Sequence, residues 1–240
     1  MEITSSRVTI KTADGSMDAH QCVPASGGPH PAIIVIMEAF GVNSHIKDVT
    51  ERIAKEGYLT IAPDLYYRQS GERTFPYTDM KNALGMMATL KDDKVTADVG
   101  AVLSHLKSQS SVNANRIGMT GFCMGGRVTY LMAAKYNKDI KTAVAFYGGG
   151  IGADDPNAPV NFTAQISCPI QCNFGEKDMF IPLDQVKKVE EALKKNGKTY
   201  EVKVYDGAGH GFFCNDRPSY HESSAKDAWE RFNTWFKKYL

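Results

Sequence analysis

The sequence predicts an α/β protein with a mostly parallel central sheet, helices on both faces and an antiparallel hairpin at the N-terminal end. Three observations carry this. From about residue 30 onward short β-like runs alternate with helical stretches, the pattern of a parallel sheet covered by helices. Several runs, Ala32-Ile-Ile-Val-Ile-Met37 first among them, are apolar throughout and rich in β-branched residues, as a strand buried on both faces requires. The chain has 240 residues, 42% of them hydrophobic, which suits one large domain spanning 1–240 without an internal repeat.

The elements follow in order. Runs 7–11 and 17–23 are β-like and flank Asp14-Gly15, a hairpin-turn signal. After a Gly/Pro connector at 26–31 comes the buried strand 32–37, then a loop at 38–43. A helix over about 46–55 is ended by Gly57. Strand 58–62 is closed by Pro63-Asp64, and 66–78 is polar with Gly and Pro, an exposed loop. Helical stretches follow at about 79–90 and 93–108; Val95, Val99, Val102, Leu103 and Leu106 give the second a buried stripe. A strand then leads to Cys123 and a helix from Met124 to about Tyr136. Strand 142–147 precedes a long loop, 148–165, whose Gly148-Gly-Gly150 lacks the Gly-Lys-Ser/Thr ending of a phosphate loop. The next strand is expected over 166–174, with Cys168 and Cys172 on one core-facing side. A loop at 175–178, a helix to about Lys195 with Pro182 in its first turn, and a last strand at 201–205 complete the alternation. The final helix starts near Tyr220, its inner face being Ala225, Trp229, Phe232, Phe236 and Tyr239.

Bulk properties exclude some partners. Basic and acidic residues number 28 and 27, so nothing draws the chain to nucleic acid or an acidic membrane surface. No apolar run is long enough to span a bilayer, and the N-terminus does not read as a signal peptide. The five cysteines are odd in number and show neither zinc-site nor thioredoxin spacing. An unpaired reactive thiol suits a reducing compartment, so a cytoplasmic location is expected, with a monomer or small homo-oligomer.

Chemistry concentrates after the predicted strands, where functional loops of such sheets gather. Gly121-x-Cys123-x-Gly125 has the spacing of the nucleophile elbow G-x-S-x-G, with sulfur replacing the serine oxygen. A sharp strand-to-helix turn strains the residue at its tip and leaves no room for a Cβ two positions away. The helix N-terminus beside the sulfur favours thiolate. Asp178 and His210 follow later strands, in the chain order nucleophile, acid, histidine of the α/β-hydrolase triad. In this reading Cys123 attacks an acyl carbon, His210 exchanges the proton and later activates water, and Asp178 holds the imidazole. Glu176 and Asp184 compete with Asp178 for that place. The amides of Met124 and Ala39 are the expected oxyanion donors, one such donor being worth about 3–4 kcal/mol.

These residues, with Glu38-Ala-Phe-Gly41, Ala62-Pro-Asp-Leu-Tyr66, Gly175-x-x-Asp178 and Ala208-Gly-His-Gly-Phe212, resemble the dienelactone hydrolase (carboxymethylenebutenolidase) family from about residue 15 onward. The resemblance implies an α/β-hydrolase fold and hydrolysis of a small-molecule ester or lactone, with neither a metal nor an organic cofactor. It also implies that Glu38 contacts the resting thiol and helps take its proton. One departure concerns substrate binding. Family members carry a serine after the catalytic histidine and an arginine shortly beyond it; here Gly211 and Cys214 stand in those places. Phe40, Arg73 and Arg217 are the remaining candidates for substrate contact. The competing reading is a non-catalytic binding or redox-sensing protein that uses Cys123.

Overall fold

In the computed structural model, which describes residues 1–240, the predicted hairpin pairs β1 (Ile3–Thr12) with β2 (Gly15–Pro24) antiparallel. Gly15, at φ +139°, takes the turn conformation that other residues resist. β2 also pairs antiparallel with β4 (Leu59–Pro63), and β4 pairs parallel with β3 (His30–Ile36). Ile33, Ile34, Val35 and Ile36 are wholly buried, as their unbroken apolar run requires. Each contributes on the order of 1.5–3 kcal/mol through that burial. The helix between these strands, α1 (Ser44–Lys55), starts two residues before its apolar stripe because Asn43 caps it, accepting the Ile46 N–H at 3.1 Å. Asp79 caps α2 (Met80–Met87) in the same way. In α3 (Asp92–Ser108) the predicted stripe is buried throughout, and so is Asp98. A buried carboxylate needs a partner. Arg68 supplies a two-pronged one at 2.7 and 2.8 Å and also binds Asp14, while the Tyr67 hydroxyl donates to Asp98 at 2.9 Å.

The chain divides into two units, Met1–Gly118 and Met119–Leu240, within β5 (Val112–Phe122). The first carries the strand order β1-β2-β4-β3. In the second, β6 (Ile140–Phe146), β7 (Ile170–Gly175) and β8 (Tyr200–Tyr205) pair parallel in that order. The sheet is thus eight-stranded and mostly parallel, with an antiparallel hairpin at its N-terminal end. Helices α4 (Met124–Lys135), α5 (Leu183–Lys195) and α6 (Glu222–Tyr239) belong to the second unit. Phe122 and Phe146 stack at 4.8 Å, and Phe213 and Phe232 continue that aromatic core.

Three local expectations are corrected. β7 begins at Ile170, not Ile166, because Pro169 has no N–H to give a ladder. Cys168 therefore lies outside the strand that holds Cys172, although both are buried. The loop 148–165 contains a 3-10 helix, Pro159–Gln165, too short and polar to show a period; Tyr130 and Thr163 hydroxyls tie it down at 2.7 Å. Helix α5 follows Pro182 as expected, with the proline at the N-cap position, one residue before the first turn, and without a side-chain cap. On α6, Trp235 is buried and its indole N–H donates to Thr142 Oγ1 at 2.9 Å, whereas Trp229 and Tyr239 are only half-buried.

Candidate active site

Cys123 stands between β5 and α4 with φ +57° and ψ −120°. A non-glycine residue held there costs on the order of 1–3 kcal/mol, so its surroundings must fix it. They do so through close backbone approaches. A Cβ on Gly121 would clash with the carbonyl of Gly125, and one on Gly126 with the carbonyl of Phe146. The Cys123 N–H donates to that same Phe146 carbonyl at 3.0 Å. Met124 is the first residue of α4, so its N–H has no intrahelical acceptor. The Cys123 thiol itself is half-buried.

The acid and histidine loops are fastened to each other by their backbones. Lys177 N–H donates to Ala208 O and Glu176 N–H to Tyr205 O, both at 2.9 Å. A Cβ on Gly175 would strike the Ala208 carbonyl. The result is a 2.7 Å hydrogen bond from His210 Nδ1 to Asp178 Oδ2, with both side chains nearly removed from solvent. Asp178 Oδ1 is occupied by the Phe180 N–H at 2.9 Å, which fixes the carboxylate's orientation. The competing acids do other work: Glu176 accepts the Gly207 N–H, and Asp184 accepts the Gln185 N–H in the first turn of α5.

Cys123 lies close enough to His210 to act on its titration. Burial alone would lower the His210 pKa, but the bond to Asp178 and the charges on Cys123 and Asp178 raise it to about 10. An imidazole held between a carboxylate and a thiol can pass a proton to and from sulfur. Two aromatic edges confine its ring, Tyr147 and Phe180, each with centroids 5.2 Å away. Neither stood out in the sequence. Tyr147 carried a readable signal, the last residue of a buried strand before three glycines, and it adopts φ +35°.

The other expected residues are placed as follows. Glu38 is wholly buried, and its carboxylate accepts the Tyr77 hydroxyl at 2.8 Å; the polar loop around Tyr77 gave no hint of this. The Ala39 carbonyl accepts the Tyr66 hydroxyl at 2.8 Å. Phe40 is buried edge-on against Tyr77 at 4.6 Å. Arg73 is paired with Asp64 at 3.2 Å and Asp18 at 3.8 Å, in a polar hollow also lined by Arg7, His20 and Lys47. The Arg217 guanidinium lies against Gly211, which has φ +76°, where a Cβ would collide with it. The residue after His210 is glycine because its φ of +76° is a backbone conformation that side chains resist; a serine there would be strained and would also push the flexible Arg217 tip aside.

A sequence profile of the Dienelactone hydrolase family matches residues 17–240. A Methylorubrum extorquens protein named "Putative carboxymethylenebutenolidase" is 38% identical over 99% of this chain and 82% of its own length. An Escherichia coli K12 protein of the same name is 39% identical over 99% of this chain and 88% of its own. The crystal structure titled "Putative Dienelactone Hydrolase" from Klebsiella pneumoniae superposes with a TM-score of 0.91, at 38% identity and full coverage of both chains.

Proposed function

The chain belongs to the dienelactone hydrolase family, a family of hydrolases, and from that premise we propose that it cleaves a carboxylic ester or lactone through Cys123 by way of a thioacyl intermediate. One observation carries the proposal: the His210 ring is bonded to Asp178 at 2.7 Å, and Cys123 is near enough to influence the same ring.

The steps follow from that arrangement. His210, its pKa raised by its partners, holds the proton that Cys123 has given up, and the sulfur of Cys123 adds as thiolate to the substrate carbonyl carbon. The carbonyl oxygen becomes an oxyanion facing the Met124 N–H, with the Ala39 amide as second donor on sequence grounds. Collapse breaks the acyl C–O bond, and His210 gives its proton to the departing oxygen. For a lactone that oxygen stays tethered to the acyl group. Water then attacks the thioester, His210 takes its proton, and the thiolate leaves with the free carboxylic acid as product. Asp178 keeps the imidazole in the tautomer that can accept from sulfur and stabilises its charged form. Glu38 enters from the family resemblance, as the carboxylate that assists in taking the thiol proton. Arg217, whose guanidinium lies against Gly211 next to His210, is the candidate for holding a substrate carboxylate because of that position.

The test is a screen of lactones and small aryl esters against wild type, Cys123→Ala and His210→Ala in parallel. The proposal expects no turnover above background with Cys123→Ala and a severe loss with His210→Ala. Activity surviving both substitutions refutes it.

A further inference from the structure

A second cluster of metal-binding side chains lies in the first unit, on elements the proposed chemistry does not use. His20 and Cys22 are two apart on β2, so they project from the same face of the strand. Helix α1 packs on that strand and brings Glu51 over them. The imidazole Nε2, the thiol sulfur and a Glu51 carboxylate oxygen all lie within 4.8 Å of one another. Cys22 Sγ is 3.3 Å from His20 Nε2, and that nitrogen is 3.7 Å from Glu51 Oε1. Ser5, opposite Cys22 across the hairpin, closes the fourth side, its hydroxyl 3.4 Å from Cys22 Sγ and 3.3 Å from Glu51 Oε1.

The spacing is informative. At 3.7 Å the His20–Glu51 separation is too long for a hydrogen bond. Tetrahedral coordination with Zn–N and Zn–O near 2.1 Å and Zn–S near 2.3 Å sets neighbouring ligand atoms about 3.4–3.6 Å apart. The His20–Cys22 edge is about 0.3 Å shorter than its tetrahedral value and the His20–Glu51 edge about 0.3 Å longer, within the reach of small side-chain adjustments. An ion can reach the position, because the Glu51 side chain is 37% exposed and His20 opens onto the polar hollow.

We propose that His20, Cys22 and Glu51 bind a zinc ion, with Ser5 or a water molecule completing four-coordination. One imidazole, one thiolate and one carboxylate make a donor set suited to this borderline-soft cation. On binding, the Cys22 thiol releases its proton to solvent and the sulfur coordinates as thiolate. The ion would clip the β1–β2 hairpin to α1. Sequence spacing does not disclose the site, since the third ligand comes from a distant helix.

The test uses the full-length chain carrying Cys123→Ser, which removes the one thiol that is not buried, after treatment with a chelator. Titration with Co²⁺, a spectroscopic stand-in for zinc, should give a thiolate-to-metal charge-transfer band that saturates at one equivalent and is displaced by Zn²⁺. Adding Cys22→Ser should abolish the band. Adding Glu51→Gln, at a partly exposed position where folding is safe, should weaken Zn²⁺ binding by about tenfold or more in competition with a chromophoric chelator. Absence of the band, its persistence in Cys22→Ser, or unchanged affinity in Glu51→Gln would overturn the proposal.

Discussion

Replacing Asp178 by Asn keeps the side chain's shape but removes one charge and one acceptor. In the native arrangement Oδ1 accepts the Phe180 N–H and Oδ2 accepts from His210 Nδ1. An asparagine has one oxygen for these two donors. If it serves Phe180, its amide NH₂ faces the imidazole and forces Nδ1 to become an acceptor. The proton then sits on the other ring nitrogen, the one toward sulfur, and His210 can no longer take the thiol proton. An equivalent tautomer reversal in a serine triad costs about 10⁴-fold, or about 5 kcal/mol of barrier, and a loss of that order is expected here. The assay is kcat/KM for an activated aryl ester across pH, with a melting curve to show that the variant is folded. A folded Asp178→Asn variant retaining more than about a tenth of wild-type kcat/KM would refute the reasoning.

The same pair sets the pH behaviour. His210 titrates near 10 when folded against about 6.5 unfolded, so its stabilising contribution is complete below about pH 6.5 and is lost as pH rises through about 10. Wild-type kcat/KM should therefore fall on an alkaline limb near pH 10, and in Asp178→Asn any residual limb should move to lower pH. Arg217→Ala should raise KM at least tenfold for lactones that carry a carboxylate and leave neutral aryl esters within about twofold; equal effects on both would remove Arg217 from substrate binding. Asp98→Ala removes the buried acceptor shared by Arg68 and the Tyr67 hydroxyl, leaving them Asp14 and Thr12 respectively. Breaking a buried pair costs about 3–5 kcal/mol, but Arg68 retains 23% of its exposure, so about 2–3 kcal/mol is expected. That corresponds to roughly 5–10 °C in Tm, and a shift under about 2 °C would contradict the role given to this network.

What the sequence disclosed and what it hid divide along physical lines. The elbow was legible because strain, glycine and a reactive side chain coincide at fixed spacing, and Gly121 meets the backbone clash that such a turn entails. Asp178 was separable from Glu176 and Asp184 only once the loops were in place, since all three follow the same strand and differ only in which N–H or imidazole they receive. Strand limits failed at Pro169, where apolar character runs on but the ladder cannot. The 3-10 helix 159–165 escaped because it has no apolar period. Trp235 was missed because Trp229 fits the helical stripe on paper; Trp229 does stack on Phe232, but Trp235, hydrogen-bonded to Thr142, is the more deeply buried indole. Gly211 read as a departure from the family, and its positive φ, visible only in the structure, gives the departure a cause.

The covalent step is tested most directly by intact-mass spectrometry of enzyme quenched during turnover of a slowly deacylated ester, followed by peptide mapping. The account predicts a mass increase equal to the acyl group, located on Cys123 and absent from Cys123→Ala. Steady turnover with no adduct on Cys123, or an adduct on another residue that forms and decays at the catalytic rate, would contradict it.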